Sequence, residues 1–500
     1  MASSKNPRRN RPAPRSSAEN RRAGRQFLAA SALGALNTAN ARTPIARQGG
    51  VSIPSFFSGW LTSEMPLHAI GWQALSTVAW ARRGALRTPA GIAALGINAA
   101  SWVALARIWK EAMSQDRILD AALTDAFGED FEGARLVEPN VTRKRVAKGP
   151  LTQWKRRYVN GPALSYGDAG RRNQLDIWSR PDLPTDAKAP VLLQVHGGGW
   201  IIGNKDQQAM PLMAHLVDCG WVCVSINYRL SPRATWPDHI VDVKRALAWI
   251  KDNIADYGGD PDFVAITGGS AGGHLCSLAA LTPNEPEFQP GFEDKDTSVV
   301  AAVPFYGVYD FLNRDGTGRD DMEQVLADFV LKSTPAQAPQ LWDHASTMSW
   351  VNADAPPFFV LHGTNDSLVP VEQARSFVSM LREVSKEPVA YAELPGAQHA
   401  FEVFDSPRTI YSAGAVHRFL ETVRARAGHG VEPADSTRRA HLAVVPEDRR
   451  IKGTTSMKYH VPGSQWYDRT TAEVWFDTVE EATAAGYEPA GGAARQKVPD

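Results

Sequence analysis

The decapeptide Ile266-Thr267-Gly268-Gly269-Ser270-Ala271-Gly272-Gly273-His274-Leu275 sets one serine among four glycines, between the apolar stretch FVAI (263–266) and the run HLCSLAAL (274–281). A strand that turns abruptly into a helix needs residues without side chains beside the turn, and a serine at the apex then projects away from the backbone. Gly268 to Gly272 fits the G-x-S-x-G pattern of such a nucleophile elbow, although a plain glycine-serine turn reads the same over five residues. The decision rests on partners. A serine hydroxyl is a poor nucleophile near neutral pH, so it needs an imidazole to take its proton and a carboxylate to fix that imidazole's tautomer.

Both partners are present in the order serine, acid, histidine. Asp366 ends FFVLHGTND directly after an apolar strand, and His399 lies in GAQHAFEVF, in the loop after the next strand. The competing reading of Asp366 is a solvated turn or helix-capping residue; Asp354 and Asp310 are poorer candidates for the acid. His274 and His362 read as local packing or hydrogen-bonding residues. The oxygen that becomes negative when a serine attacks a carbonyl needs fixed donors, and backbone N–H groups of glycines approach it without a clashing side chain. HGGGW (196–200), directly after the strand VLLQV, offers Gly197 and Gly198, joined by the N–H of Ala271.

These residues need a scaffold. From about residue 145 short apolar strands alternate with helical runs: LDIWSRP, APVLLQVHGGG, WVCVSINY, FVAITGG, VVAAVPFYG, PPFFVLHGTND and PVAYAELPG, with helices such as 237–258 and 371–386 between them. That alternation predicts an α/β fold, a mostly parallel central sheet covered by helices on both faces. The expected organisation is a basic, disordered head over 1–50, an apolar helical accessory or cap over 51–145, the catalytic domain over 146–430, a linker over 431–450 and a small module over 451–490. The head carries ten Lys and Arg against Glu19 alone in a Ser/Pro/Asn-rich setting. Two apolar stretches, 66–81 and 90–109, flank a loop with Arg82, Arg83 and Arg87; they read as a soluble cap or as peripheral membrane-binding helices rather than a spanning hairpin.

The chain as a whole is balanced, 54 Lys and Arg against 54 Asp and Glu, which gives no sign of a nucleic-acid partner. Cys219, Cys223 and Cys276 lie in or beside buried elements without metal-ligand spacing and read as reduced packing residues. The run FLAASALGAL followed by Ala39-Asn40-Ala41 leaves export as an alternative to a cytoplasmic or membrane-associated location.

HGGGW, NYRLSP (227–232), DPDFVAITGGSAGGH (260–274), DSLVP (366–370) and QHAFEVF (398–404) together resemble the hormone-sensitive-lipase-like carboxylesterases of the α/β-hydrolase superfamily, especially their actinobacterial lipase and esterase members. The resemblance implies hydrolysis of a small-molecule carboxylic ester through an acyl-enzyme, with no metal and no organic cofactor. One position departs from the pattern: many members carry aspartate before the nucleophile, where this chain has Gly269. The Gly-Gly-Ser form also resembles arylformamidase-type amide hydrolases, so that activity, and a non-catalytic binding role on the same fold, stay open. Residues 451–490, with YHVPGS, WYDRT and EEATAAGY, resemble a small actinobacterial terminal module called a sunset domain; its His460 lacks an evident second ligand. Acyl length and oligomeric state are not encoded in these motifs.

Overall fold

The computed structural model describes residues 15–128, 141, 146 and 158–428, together with 451–454, 458–462, 464, 467, 470, 474–476, 478–484 and 487–491. The chain divides into two compact units, Met1–Gly428 and His429–Asp500.

The first unit is built on strands β1 (Val159–Ser165), β2 (Gln174–Trp178), β3 (Ala189–Val195), β4 (Val222–Ile226), β5 (Gly259–Gly269), β6 (Ala301–Phe305), β7 (Phe358–Gly363) and β8 (Val389–Leu394). They form one sheet in the order β1-β2-β4-β3-β5-β6-β7-β8, parallel from β4 to β8 and antiparallel at β1 and β2. Every residue of β3, β4, β6 and β7 is buried, as near-continuous apolar strands under two layers of helices must be. Strand periodicity divides the core in two: Val191, Leu193 and Val195 pack on one face with α7 (Asp238–Asn253), α8 (Ala271–Leu281) and α9 (Val371–Val384). Leu192 packs on the other with α6 (Met210–Asp218) and α10 (Pro407–Arg426). Cys223 and Cys276 are free and fully buried, and burial pushes both thiols far above the ordinary range.

The N-terminal region is helical: α1 (Ser17–Arg42), α2 (Ser52–Glu64), α3 (Pro66–Arg82), α4 (Pro89–Ala112) and α5 (Asp116–Phe127). This corrects the disordered head. Ser17–Arg42 forms a helix, because the arginines occupy only one side while Ala23, Gly24, Phe27, Ser31 and Ala41 form a buried stripe, Ala23 and Phe27 meeting Ala94 of α4. A capping box starts the helix: Ser16 Oγ accepts from the Glu19 N–H at 3.3 Å, and the Glu19 carboxylate accepts from the Ser16 N–H at 2.7 Å. Residues 1–14 lie outside the described residues, as does the 431–450 linker.

The expected accessory or cap segment is helical from Ser52 to Phe127, and its helices pack on the catalytic layers. Leu119 and Leu123 of α5 share the core of α6 and α10, and α2 is bolted to the α/β layers by the fully buried Glu64–Arg408 pair at 3.0 Å. Trp60 Nε1 of α2 also donates to the Ala400 carbonyl at 2.8 Å.

The second unit contains a four-stranded sheet, β9 (Ile451–Gly453), β10 (Lys458–His460), β11 (Val474–Phe476) and β12 (Glu488–Pro489), in the order β11-β9-β10-β12. Ile451, Tyr459, Val461, Phe476 and Ala482 form its core.

Candidate active site

The parallel strands all point the same way, so loops that follow their C-terminal ends converge on one edge of the sheet. Ser270 sits between β5 and α8 with φ 59° and ψ −122°, a left-side conformation that a non-glycine residue holds only when its surroundings enforce it. The enforcement is visible. The Ser270 N–H donates to the Phe305 carbonyl at 3.0 Å, and a Cβ on Gly272 would lie 2.1 Å from the Val195 carbonyl oxygen, so the turn closes tightly against β3.

Asp366 follows β7 and is buried. Its Oδ1 accepts the Leu368 and Val369 N–H groups, each at 2.8 Å, which leaves Oδ2 to meet His399 Nδ1 at 2.6 Å and His362 Nε2 at 3.3 Å. Burial alone pushes this carboxyl up; the charge of His399, hydrogen bonds from His362 and His399 and the charge of His362 outweigh it and hold Asp366 well below the usual carboxylate range. A hydrogen bond from Nδ1 to an ionised carboxylate leaves Nε2 as the free, basic nitrogen. The Gln398 side chain joins the two loops, its Oε1 accepting from the Ser367 N–H at 2.7 Å and the His399 N–H at 2.9 Å. The other candidates for the acid lie elsewhere: Asp354 is exposed and pairs with Lys386, and Asp310 pairs with Arg314.

Ser270 and His399 border one residue, Tyr306. Its ring centroid lies 4.5 Å from that of His399, and its hydroxyl would lie 2.6 Å from a Cβ on Gly269, next to the nucleophile. This accounts for the glycine in place of aspartate: the phenol fills the space a side chain at 269 would need. Tyr306 in turn donates to the fully buried Glu402, whose carboxyl is raised by burial and whose charged form is favoured by that bond. Sequence reading missed Tyr306 and Glu402, because 96 residues separate them and neither stands in a motif of fixed spacing. Ser270 Oγ has no hydrogen-bond partner among the described residues, and nucleophile–base contacts of this kind commonly tighten only when substrate binds.

The glycine loop abuts the elbow, with the Cβ position of Gly197 3.1 Å from Ser270 Cβ. One expected donor is engaged elsewhere: the Gly197 N–H donates to Gln208 Oε1 at 2.6 Å. Among the described residues the N–H groups of Gly198 and Gly199 have no acceptor, and Ala271, at the first position of α8, has none within its helix. His274 and His362 are local bonding residues, to the Ala345 and Val369 carbonyls, but His362 also touches the acid.

The family model described as BD-FAE matches residues 175–381, and one described as ArfC matches residues 433–489. The chain is 49% identical to "Probable carboxylic ester hydrolase LipM" of Mycobacterium tuberculosis over 81% of its own length and 95% of that protein. It belongs to the LipM family of esterases. LipQ, an esterase of the same organism, is 46% identical over 74% of this chain and 84% of its own. Esterase 2 of Thermogutta terrifontis is a solved structure similar over 55% of this chain and 96% of that chain, at 23% identity and TM-score 0.46. Like its LipM relatives, the chain is a carboxylic ester hydrolase on an α/β-hydrolase fold, and of the activities left open by the motifs ester hydrolysis is the one its family carries.

Proposed function

We propose that this LipM-type esterase works by nucleophilic catalysis at Ser270. Ser270 Oγ attacks the ester carbonyl as His399 Nε2 takes its proton, and Asp366 holds the resulting imidazolium through Nδ1. The tetrahedral oxygen lies against the N–H groups of Gly198, Gly199 and Ala271, while Gly197 shapes the loop with its N–H tied to Gln208. Collapse breaks the ester C–O bond, and His399 returns the proton to the departing alcohol. Water, deprotonated by His399, then attacks the acyl-enzyme, and Ser270 leaves with the proton regained. The observation that carries this reading is the buried 2.6 Å contact of His399 Nδ1 with Asp366 beside a serine held at positive φ.

A cleft of about 160 Å³ beside the loop of Asp366 sets Val308, Phe311 and Leu368 against Asp310, Arg319 and Glu323, and neither Ser270 nor His399 lines it. Ser270→Ala, assayed on p-nitrophenyl esters of increasing acyl length, should lose several orders of magnitude in turnover and all labelling by a fluorophosphonate probe. Turnover above roughly a tenth of wild type would overturn the assignment.

We further propose that the enzyme works at a membrane surface. Of the large apolar side chains left in solvent, most belong to the N-terminal helices: Leu33, Leu36, Trp72, Leu75, Ile92 and Val103 are each more than half exposed, Trp72 by 76%. The helical stretch Pro89–Phe127 is long and apolar enough to cross a bilayer, yet Leu105 and Ile108 are spent on contacts within the unit. Apolar faces beside Arg82, Arg83 and Arg87 suit a helix layer lying in an anionic lipid interface. Full-length protein should co-sediment with anionic liposomes at low salt and be released at high salt; protein that stays in the supernatant throughout refutes it.

A further inference from the structure

Two histidines and a cysteine with no part in ester hydrolysis meet where α6 and α10 pack. His215 is in the last turn of α6 and Cys219 caps it, with Nε2 and Sγ 4.0 Å apart. His417 of α10 sets its ring edge-on to His215, centroids 5.3 Å apart. One ligand-capable atom from each of the three lies within 4.8 Å of the other two. One turn further along α10, Glu421 Oε1 stands 3.9 Å from His417 Nε2 while accepting from Trp221 Nε1 at 2.8 Å. Residues four apart share a helix face, so each helix offers the other a pair of donors, His215 with Cys219 and His417 with Glu421.

We propose that His215, Cys219 and His417 form a transition-metal site, with Zn²⁺ the ion that best fits them. Two imidazole nitrogens and a thiolate sulfur suit zinc, whereas magnesium and calcium require oxygen ligands. Tetrahedral zinc holds nitrogen at about 2.0–2.1 Å and sulfur at about 2.3 Å, which sets neighbouring ligand atoms roughly 3.3–3.6 Å apart. The spacings here, 4.0 Å between His215 and Cys219 and at most 4.8 Å among the three, contract to that by about 0.4–1.5 Å, within reach of side-chain torsions. The thiol proton passes to solvent as the Zn–S bond forms, and the fourth position goes to water or to the Glu421 carboxylate, which Trp221 orients.

The position gives the ion a mechanical role. Helix α6 starts two residues after Gln208, which holds the Gly197 N–H, and α10 starts eight residues after His399. A metal bridging the two helices ties together the supports of the glycine loop and the histidine loop without touching the reacting atoms. The metal-free account of the same contacts is a weak thiol–imidazole hydrogen bond with His417 packed against it.

The two accounts separate by titrating the full-length chain, without a polyhistidine tag, with Zn²⁺ against a chromogenic chelator, and with Co²⁺ followed by absorption. The metal site predicts one tightly bound equivalent and a thiolate-to-Co²⁺ charge-transfer band. Cys219→Ser should abolish the band, and both it and His215→Gln should weaken zinc by at least about 100-fold, the upper end of what loss of an outer-shell partner does. Cys276→Ser should leave band and affinity in place, and circular dichroism should show each variant folded. A wild-type chain that binds neither ion, or folded Cys219→Ser and His215→Gln variants that bind zinc as wild type does, would overturn the proposal.

Discussion

Replacing Glu64 by alanine tests whether α2 belongs to the catalytic unit or is a removable accessory. Glu64 and Arg408 are both fully buried. Arg408 Nη1 donates to Glu64 Oε1 and to the Ser63 carbonyl, each at 3.0 Å, and Nη2 to the Pro395 carbonyl at 3.3 Å; Glu64 also accepts from Ser63 at 3.2 Å and Ser406 at 2.8 Å. Charge centres about 4 Å apart at an effective dielectric near 20 attract by about 4 kcal/mol. Alanine removes that attraction and leaves the guanidinium buried with only carbonyl dipoles around it, so the cost should be about 3–5 kcal/mol. Urea unfolding followed by tryptophan fluorescence measures it. Replacing both partners by methionine should recover most of the loss, since no charge is then left stranded. Turnover of the folded single variant should fall as well, because Ser406 and Arg408 open α10 just after the His399 loop, and the Phe56 ring stands 6.0 Å from that of His399. A loss below about 1 kcal/mol, the scale of a surface pair, would refute the argument that α2 is part of the core.

Asp366→Asn should preserve folding and depress turnover by up to about 10⁴, whereas Asp354→Asn should be silent; the reverse pattern in a p-nitrophenyl ester assay would name the wrong acid. Gly269→Ala should cost about 1–3 kcal/mol and lower kcat, because its Cβ meets the Tyr306 hydroxyl at 2.6 Å and presses that ring towards His399; wild-type stability and kcat would show that the tyrosine yields freely. Lys244 gives a pH signature. Burial brings its ammonium down to about 7, against about 10.4 in an unfolded chain, so between those values the unfolded state holds a proton the folded state lacks and stability rises with pH. Below about 7 the folded state carries the buried charge, so Lys244→Met should gain most on wild type at about pH 6, and that advantage should shrink steadily from about pH 7 to about pH 10; urea midpoints that run parallel across this range would count against it.

What was legible in the sequence is what is encoded locally. The elbow, the acid and the histidine each stand within a few residues of a strand end, and the strands themselves are apolar runs, so their order and class could be read. The misreadings are of other kinds. Counting arginines hid α1, although Ser16-x-x-Glu19 is a capping box and the alanines behind it mark a narrow buried stripe. A run of three glycines has no internal register, so recognising Gly199 rather than Gly197 as a donor needed the Gln208 side chain, eleven residues from Gly197. The Tyr306–Glu402 bond, the Glu64–Arg408 pair and the meeting of His215 with His417 join residues far apart in the chain, and no spacing rule foreshadows them.

The Glu64–Arg408 pair also sets a schedule. Its partners are 344 residues apart, and ribosomes add roughly 5–20 residues per second, so Glu64 is added to the chain about 17–70 s before Arg408. Over that interval α2 holds a carboxylate destined for the interior without the guanidinium that pairs with it, so docking the charged side chain would cost desolvation that no ion pair offsets. His399 is itself made only nine residues before Arg408. A nascent chain therefore gains its general base and the anchor that seats α2 against it within about two seconds of each other, and a chain broken off earlier carries neither.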